Sequence, residues 1–333
     1  MDEKIEQLIS LAGNEHRYQY FILFLVIFLW MNCNFLSCVL PFIEREPIIN
    51  YIDSKGIFHE NEILTSDICI DLNANNFTIV KSYGYSWVSE FQIECNKTEV
   101  SNVGSFVFIG NTLAGFIFSF ISKLLSHKKI IIISSFIFCI TIFICTLIKS
   151  FDYFYILLIS EAINCLSSNS LVYSCLLISQ ETVSSKKRSL FSSIMRIGYS
   201  LCGIVYTLFF LLLEDWRKVF YVLIGLSALG LIITWIFVYN SPRVYINNNN
   251  YEKVNKILEG IAKFNGKLES FRESLKQDIY KNIMEDLKNS QEESKKSPKK
   301  EYNKETINIY KENESYQEPF IKTNDEPQCK YIF

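Results

Sequence analysis

The chain has 333 residues, of which 49% are hydrophobic, 15% aromatic and 20% charged, with a formal net charge of −2. Charged residues crowd into residues 41–99 and 241–333, where acidic and basic side chains are interleaved, so the composition does not support nucleic-acid binding. No metal-ligand spacing, glycine-rich phosphate loop or nucleophile–base pair stands out. The sequence therefore predicts neither an enzyme nor a metal site or cofactor.

Six apolar stretches between residues 20 and 240 are each long enough to cross a bilayer. A hydrocarbon core of about 30 Å needs about 20 helical residues. Backbone groups in lipid must be hydrogen-bonded within each segment, which favours helices. The stretches are Tyr20–Leu40, Asn102–Ser122, Ile130–Ile148, Phe154–Ile178, Leu190–Leu213 and Val219–Tyr239. The first lacks a small-residue cleavage site and is predicted to be a retained anchor. We expect an all-α membrane protein, a six-transmembrane-helix bundle in a lipid bilayer.

The short loops carry their positive charges unevenly. Those after the second and fourth stretches hold clusters of Lys, Arg and His, whereas those after the third and fifth are sparse or mixed in charge. Because positive loops stay in the cytosol, both termini are predicted to be cytoplasmic. Residues 1–19 then form a cytoplasmic N-terminus, and residues 20–240 form the bundle. The positive loop residues are Lys123, His127, Lys128, Lys129, Lys186, Lys187 and Arg188.

The segment 41–99 is predicted to be extracytoplasmic and is acidic, with ten carboxylates against four Lys and Arg residues. Asn76-Phe-Thr78 fits the N-glycosylation pattern, which indicates a glycoprotein at the plasma membrane. Asn96-Lys-Thr98 fits too, but it lies too close to the membrane for an enzyme to reach. Cys69 and Cys95 share this segment and form a disulfide if it lies outside the cytosol. The alternative is two unpaired thiols.

The last part of the chain changes character twice. Residues 241–284 are predicted to form a cytoplasmic helical segment, because Val254, Ile257, Leu258 and Ile261 recur at helical spacing on an amphipathic stretch. Residues 285–333 are rich in Lys, Glu, Asn and Ser. Such a composition buries too little apolar surface to offset the entropy of ordering, which predicts a disordered cytoplasmic tail.

Several segments resemble one transporter family when read in order. Gly13-Asn-Glu-His-Arg-Tyr-Gln19 precedes the first stretch, and Ser86-Trp-Val-Ser-Glu-Phe-Gln-Ile-Glu-Cys95 precedes the second. Glu181, Arg188 and Asp215-Trp-Arg217 flank the fifth stretch. Ser241-Pro-Arg243 and the segment Tyr251–Gly266, which ends Ile-Ala-Lys-Phe-Asn-Gly, follow the sixth. Together they resemble the organic cation/anion/carnitine transporter family of the major facilitator superfamily, over its N-terminal six-span half. The resemblance covers residues of about 13–267.

The loop after the second stretch departs from that family's signature. The matching positions hold Ser119, Lys123, Ser126, His127 and Lys128, so small serines replace glycines and a cation replaces the family's gating aspartate. The resemblance implies a cytoplasmic gating loop made of Lys123, His127 and Lys128 with Glu181 and Arg188. Lys123 would repel the partners that the family's aspartate attracts, and Asn240 replaces a common glutamate.

The resemblance implies transport of small organic ions (cations, anions or carnitine-like zwitterions) by alternating access. No second set of six spans follows residue 267, so transport is expected to need a second six-helix half, a homodimer or a longer natural chain. The competing hypothesis is a non-transporting half-transporter relic that acts as a membrane scaffold or regulatory partner. The altered gating loop favours the second hypothesis.

Four residues within the stretches are candidates for substrate binding. Glu161 either attracts a cation, as intramembrane carboxylates often do, or pairs locally near the membrane surface. Arg196 either holds an anion in a central cavity or reaches the headgroups. Tyr173 and Tyr199 either line the substrate path or pack between helices.

Overall fold

The computed structural model describes most of the six-span region and its flanks. Cys69, Asn76 and the predicted tail after residue 285 lie outside the described residues. The described residues are 2–13, 16–52, 56–63, 78–83, 86–93, 95–213, 215–247, 250–276, 280, 282, 283 and 285.

Six helical segments are long and apolar enough to cross a membrane, which confirms the predicted all-α bundle. Span 1 consists of two helices, Arg17–Cys33 and Phe35–Ile43, and spans 4 and 5 each begin with a single 3₁₀ turn. The spans, numbered 1 to 6, are Arg17–Ile43, Lys97–Leu124, His127–Leu147, Phe151–Thr182, Ser185–Leu213 and Trp216–Phe237.

Span 4 is the centre of the bundle. It packs against spans 1, 2, 3 and 5, and its most extensive interfaces are with spans 2 and 3. Gly110 permits the approach of span 2, because a Cβ atom there would lie 2.2 Å from the carbonyl oxygen of Ala162. In span 4, 61% of the most apolar window is buried, whereas spans 2 and 5 bury only 17% each. Spans 2 and 5 therefore leave most of their surface to lipid or to a partner.

A three-stranded antiparallel sheet lies between spans 1 and 2, a feature that the sequence analysis did not anticipate. The strands are β1 (Ile48–Ile52), β2 (Phe58–Ile63) and β3 (Thr78–Tyr83), in the order β2-β1-β3. The register shifts near Asn50, whose side-chain oxygen accepts a hydrogen bond from the Asn61 amide at 2.8 Å. The short helix Trp87–Glu90 then leads back toward span 2.

Among the described residues, short helices precede and follow the six spans in sequence. Three of them follow span 6, and Asp2–Leu11 precedes span 1. Tyr251–Phe264 buries an apolar face that includes Val254, Leu258 and Ile261. The helices after span 6 are Pro242–Asn247, Tyr251–Phe264 and Leu268–Lys276. The loops after spans 2, 4 and 6 lie at one end of the bundle, which we call the basic end. The sheet lies at the opposite end, which we call the sheet end.

Candidate functional site

A stripe of half-buried residues runs along span 4 between spans 2 and 5, and the described part of the chain leaves this side, which we call the open face, partly exposed. Its residues recur every three or four positions, so they share one face of the helix. Spans 2 and 5 border this face on either side. The stripe comprises Leu166, Asn169, Tyr173, Leu176 and Gln180.

Polar and aromatic contacts fasten the stripe to its neighbours. The Asn169 side-chain amide donates to the Asn111 oxygen of span 2 at 2.5 Å, and the Tyr173 ring lies 5.2 Å from that of Phe118. At the basic end, the Gln180 amide donates to the Ser192 hydroxyl of span 5 at 3.2 Å. Sequence reasoning missed Asn111, although an amide in the middle of an apolar span was the available signal.

Arg196 and Tyr199 lie on span 5 beside this stripe. They follow Ser192 by four and seven residues, so helical spacing places all three on the side turned toward Gln180. Both are exposed, Tyr199 by 49%. A guanidinium matches a carboxylate or phosphate in geometry and charge. The structure therefore brings three of the four predicted substrate residues to the border of one open face.

Glu161 lies elsewhere. Its position on span 4 is about a quarter turn away from the stripe, and only 1% of its surface is exposed. The Asn164 amide donates to its Oε2 atom at 3.3 Å, and Cys145 of span 3 faces the same carboxyl group. Glu161 is thus buried between spans 3 and 4, away from Arg196.

At the basic end, the structure brings together some of the predicted gating residues. His127 Nε2 is 3.9 Å from Glu181 Oε1, and the Lys128 ammonium donates to the Trp235 carbonyl at 3.0 Å. The Ser126 hydroxyl donates to the Asn240 side chain at 3.0 Å, which ties the loop after span 2 to the loop after span 6. Lys123 is exposed on span 2.

The amino-terminal helix completes this end of the bundle with a residue that sequence reasoning missed. Glu6 accepts hydrogen bonds from the Ser185 hydroxyl at 2.5 Å and amide at 2.9 Å. These bonds, the hydroxyl foremost, hold the pKa of the Glu6 carboxyl below its ordinary value. A small pocket lies between two acidic and two basic side chains, those of Glu6, Glu181, Arg188 and Arg243.

A second set of contacts joins the segment before span 1 to the helix Tyr251–Phe264 and the residue that follows it. The Asn265 side chain accepts from the Tyr18 amide at 2.8 Å and donates to the Ala12 and Gly13 carbonyls at 3.2 and 3.1 Å. Gly13 has a positive φ of 103°, which favours glycine. We call Asn265 with these three partners the flank clasp. It joins two of the motif segments that carry the family resemblance.

At the sheet end, two other motif segments meet. Arg217 binds the Glu90 carboxylate, and its guanidinium donates to the Ile148 carbonyl at 2.7 Å. The Trp216 indole donates to the other Glu90 oxygen at 2.7 Å. Nearby, Cys95 is disulfide-bonded. Its predicted partner Cys69 lies outside the described residues, as does the predicted glycosylation site Asn76, so both assignments stay predictions.

A bundle of six apolar spans among the described residues indicates an integral multi-pass membrane protein. The model of the Major Facilitator Superfamily matches residues 20–295. The chain belongs to this superfamily of membrane transporters. A search of curated proteins found no match to the chain.

Proposed function

We propose that the chain transports small organic ions by alternating access and that the open face of span 4 supplies half of the substrate site. The observation that carries this proposal is the position of Asn169, Tyr173, Arg196 and Tyr199 around one uncovered face of a superfamily bundle. Substrates of this fold bind near the bilayer midplane between two six-helix bundles. Asn169 lies near the middle of span 4, at that depth.

The charge on this face favours substrates that carry an anionic group. Arg196 is exposed, whereas the intramembrane carboxylate Glu161 is buried on another side of span 4. Tyr173 and Tyr199 add aromatic faces that suit the apolar or cationic part of an organic ion. Organic anions and carnitine-like zwitterions therefore fit the face better than simple cations.

The proposal requires a second six-helix bundle opposite the open face. Spans 2 and 5 border this face and bury only 17% of their apolar windows, so they offer the surface on which it would pack. We propose that a second copy of the chain, a partner or a longer natural chain provides this bundle. The two bundles would then rock about the bound substrate.

Membership in the organic cation/anion/carnitine family is a further part of the proposal. Support comes from the contacts between the resembling segments, which join Tyr18 to Asn265 and Glu90 to Arg217. The same resemblance supports a plasma-membrane location with both termini in the cytosol. A peptide tag inserted near residue 75 should then be reached by an antibody on intact cells, and labelling only after permeabilisation would contradict this orientation.

Uptake into proteoliposomes tests the proposed function. The purified chain should take up a radiolabelled organic anion or zwitterion saturably, and Arg196→Gln should raise KM at least tenfold for anions. Arg272→Gln is the matched control, because that cation lies on the helix after span 6 and binds the exposed Glu259. No saturable uptake of any organic ion, even with co-expressed partners, would contradict transport.

One observation favours a scaffold or regulatory role as the second candidate. Lys123 is an exposed cation at the position where the resembling family has its gating aspartate. It would therefore repel the basic groups that the aspartate attracts in that family. A stable complex with another membrane protein, together with no uptake by either, would support this role. Recovery of uptake by Lys123→Asp would instead show that only the gate is altered.

A further inference from the structure

Glu161 has an environment that an ionised carboxylate does not tolerate. The residue is 1% exposed and lies within the part of span 4 that crosses the membrane. One oxygen accepts a hydrogen bond of 3.3 Å from Asn164. The other, Oε1, is buried and accepts no hydrogen bond from an N–H or O–H group, and the weakly donating Cys145 thiol faces the carboxyl group.

Within the described residues, no cation compensates this carboxyl group. All six spans are described, and no Lys, Arg or His in the described part of the chain forms an ion pair with Glu161. The titratable groups that interact with it are the thiols of Cys145 on span 3 and Cys165 on its own helix. Span 2 approaches next to it with Gly110, which carries no side chain.

The cost of burial differs greatly between the two protonation states. An unpaired buried charge is far more costly than an incompletely hydrogen-bonded neutral group. Breaking the contact between spans 3 and 4 would be the other way to relieve the charge, but these spans share one of the most extensive interfaces in the bundle. Protonation is therefore the less costly solution.

We propose that Glu161 is a proton-binding site of the bundle, neutral while it is buried between spans 3 and 4 and ionised only when water reaches the carboxyl group. The carboxylate takes one proton from the aqueous phase to form the carboxylic acid and returns it to water on opening. The coupling of this proton to substrate movement rests on the proposed transport function. The protonated state in the packed bundle does not.

Infrared spectroscopy of the purified chain tests the protonation state directly. A neutral carboxylic acid has a C=O stretching band that a carboxylate lacks, so the spectrum of the wild type minus that of Glu161→Gln at pH 7 should show this acid band. Glu90→Gln is the matched control: Glu90 binds Arg217, and its difference spectrum should show only carboxylate bands. Carboxylate bands in the Glu161 difference spectrum would overturn the proposal.

The folded yield of two variants adds an independent criterion. Gln reproduces the shape and the uncharged state of the protonated acid, so Glu161→Gln should fold as well as the wild type. Glu161→Lys should lose most of its folded yield, because it places a cation in the same unpaired site. A folded yield of Glu161→Gln as low as that of Glu161→Lys would show that the site needs a charge and would contradict the proposal.

Uptake measurements test the coupling separately. An inward proton gradient should stimulate wild-type uptake several-fold, and Glu161→Gln should abolish this stimulation while it leaves equilibrium exchange intact. An acid band with gradient-insensitive uptake would overturn the coupling alone. An acid band without any uptake would keep Glu161 as a proton site and contradict the transport function.

Discussion

The two ends of the bundle hold their charged side chains in different ways. At the sheet end, Arg217 contacts a carboxylate, a carbonyl and the Trp216 ring, whose centroid lies 4.5 Å away. At the basic end, the closest approach of His127 and Glu181 is 3.9 Å. There His127 Nδ1, Glu181 Oε2 and Arg188 Nε are buried without hydrogen-bond partners.

This difference indicates which end is built to move. A satisfied polar network makes an end rigid, whereas a partly satisfied one costs free energy and gains from any rearrangement that completes it. Alternating access needs one end to open while the other stays closed. We infer that the sheet end is fixed within this bundle and that the basic end rearranges.

The largest expected effect is on the sheet end. Arg217→Ala removes the cation from the partly buried Glu90 and the donor from the Ile148 and Thr146 carbonyls, so it should lower the free energy of unfolding by about 3 kcal/mol. Thermal melting in detergent measures the loss. Arg272→Ala is the control, since its pair with Glu259 is exposed and should contribute less than about 1 kcal/mol. Equal losses in the two variants would contradict a rigid sheet end.

The flank clasp should rank second. Asn265→Ala removes the two hydrogen bonds that the side chain donates to the Ala12 and Gly13 carbonyls and the one that it accepts from the Tyr18 amide. The Gly13 carbonyl keeps its bond from the Gln19 side chain, so the variant should cost about 2 kcal/mol. The same melting assay applies. Asn255→Ala is a suitable comparison, because that side chain accepts only from the Tyr280 hydroxyl. An Asn265→Ala variant that melts at the same temperature as the wild type would show that the flanking helices are not fastened to the bundle.

The basic end should respond weakly in stability but strongly in transport. Glu181→Gln keeps the shape of a side chain whose Oε2 has no hydrogen-bond partner and whose closest approach to His127 is 3.9 Å, so it should change the free energy of unfolding by only about 1 kcal/mol. The same variant should change the transport rate at least fivefold, because it alters a carboxylate whose missing hydrogen bond would form when the basic end rearranges. Melting curves and uptake rates of one preparation test both parts. A large loss of stability with unchanged transport would reverse the assignment of the two ends.

The smallest effect concerns pH and the amino-terminal helix. Because bonds from Ser185 lower the pKa of the Glu6 carboxyl, the folded state favours the ionised form. This contribution to docking is complete above the ordinary carboxyl pKa and is lost as the pH falls through the lowered value. The anisotropy of a dye at the amino terminus should therefore drop in acid. Glu6→Gln should remove the pH dependence, and an unchanged acid response in this variant would refute the role of Glu6.

Much of the fold follows from the sequence by simple physics. Long, predominantly apolar runs such as Ile130–Ile148 favour helices in lipid, so all six spans found among the described residues were predicted. The sheet was not predicted, because β1 and β2 are short. The sequence before β3 shows no clear alternation of polar and apolar residues. Strand pairing depends on contacts that are distant in sequence, which a local pattern does not contain.

The candidate site was only partly predictable. Periodicity placed Tyr173 and Arg196 within spans, but it does not show which face of a helix its neighbours leave open. Glu161 looked like an interfacial residue from its depth alone, yet it is buried against span 3. Asn111 and Glu6 had no motif, and their partners Asn169 and Ser185 are 58 and 179 residues away in sequence. Such pairings emerge only from tertiary packing.

Hydrogen–deuterium exchange of the purified chain tests most directly whether the two ends differ. Amides around Leu125 and Ser126 at the basic end should exchange at least tenfold faster than those around Phe91 and Ile148 at the sheet end. Addition of a transported substrate should change the rates at the basic end alone. Equal exchange at both ends, or a substrate response confined to the sheet end, would contradict this account.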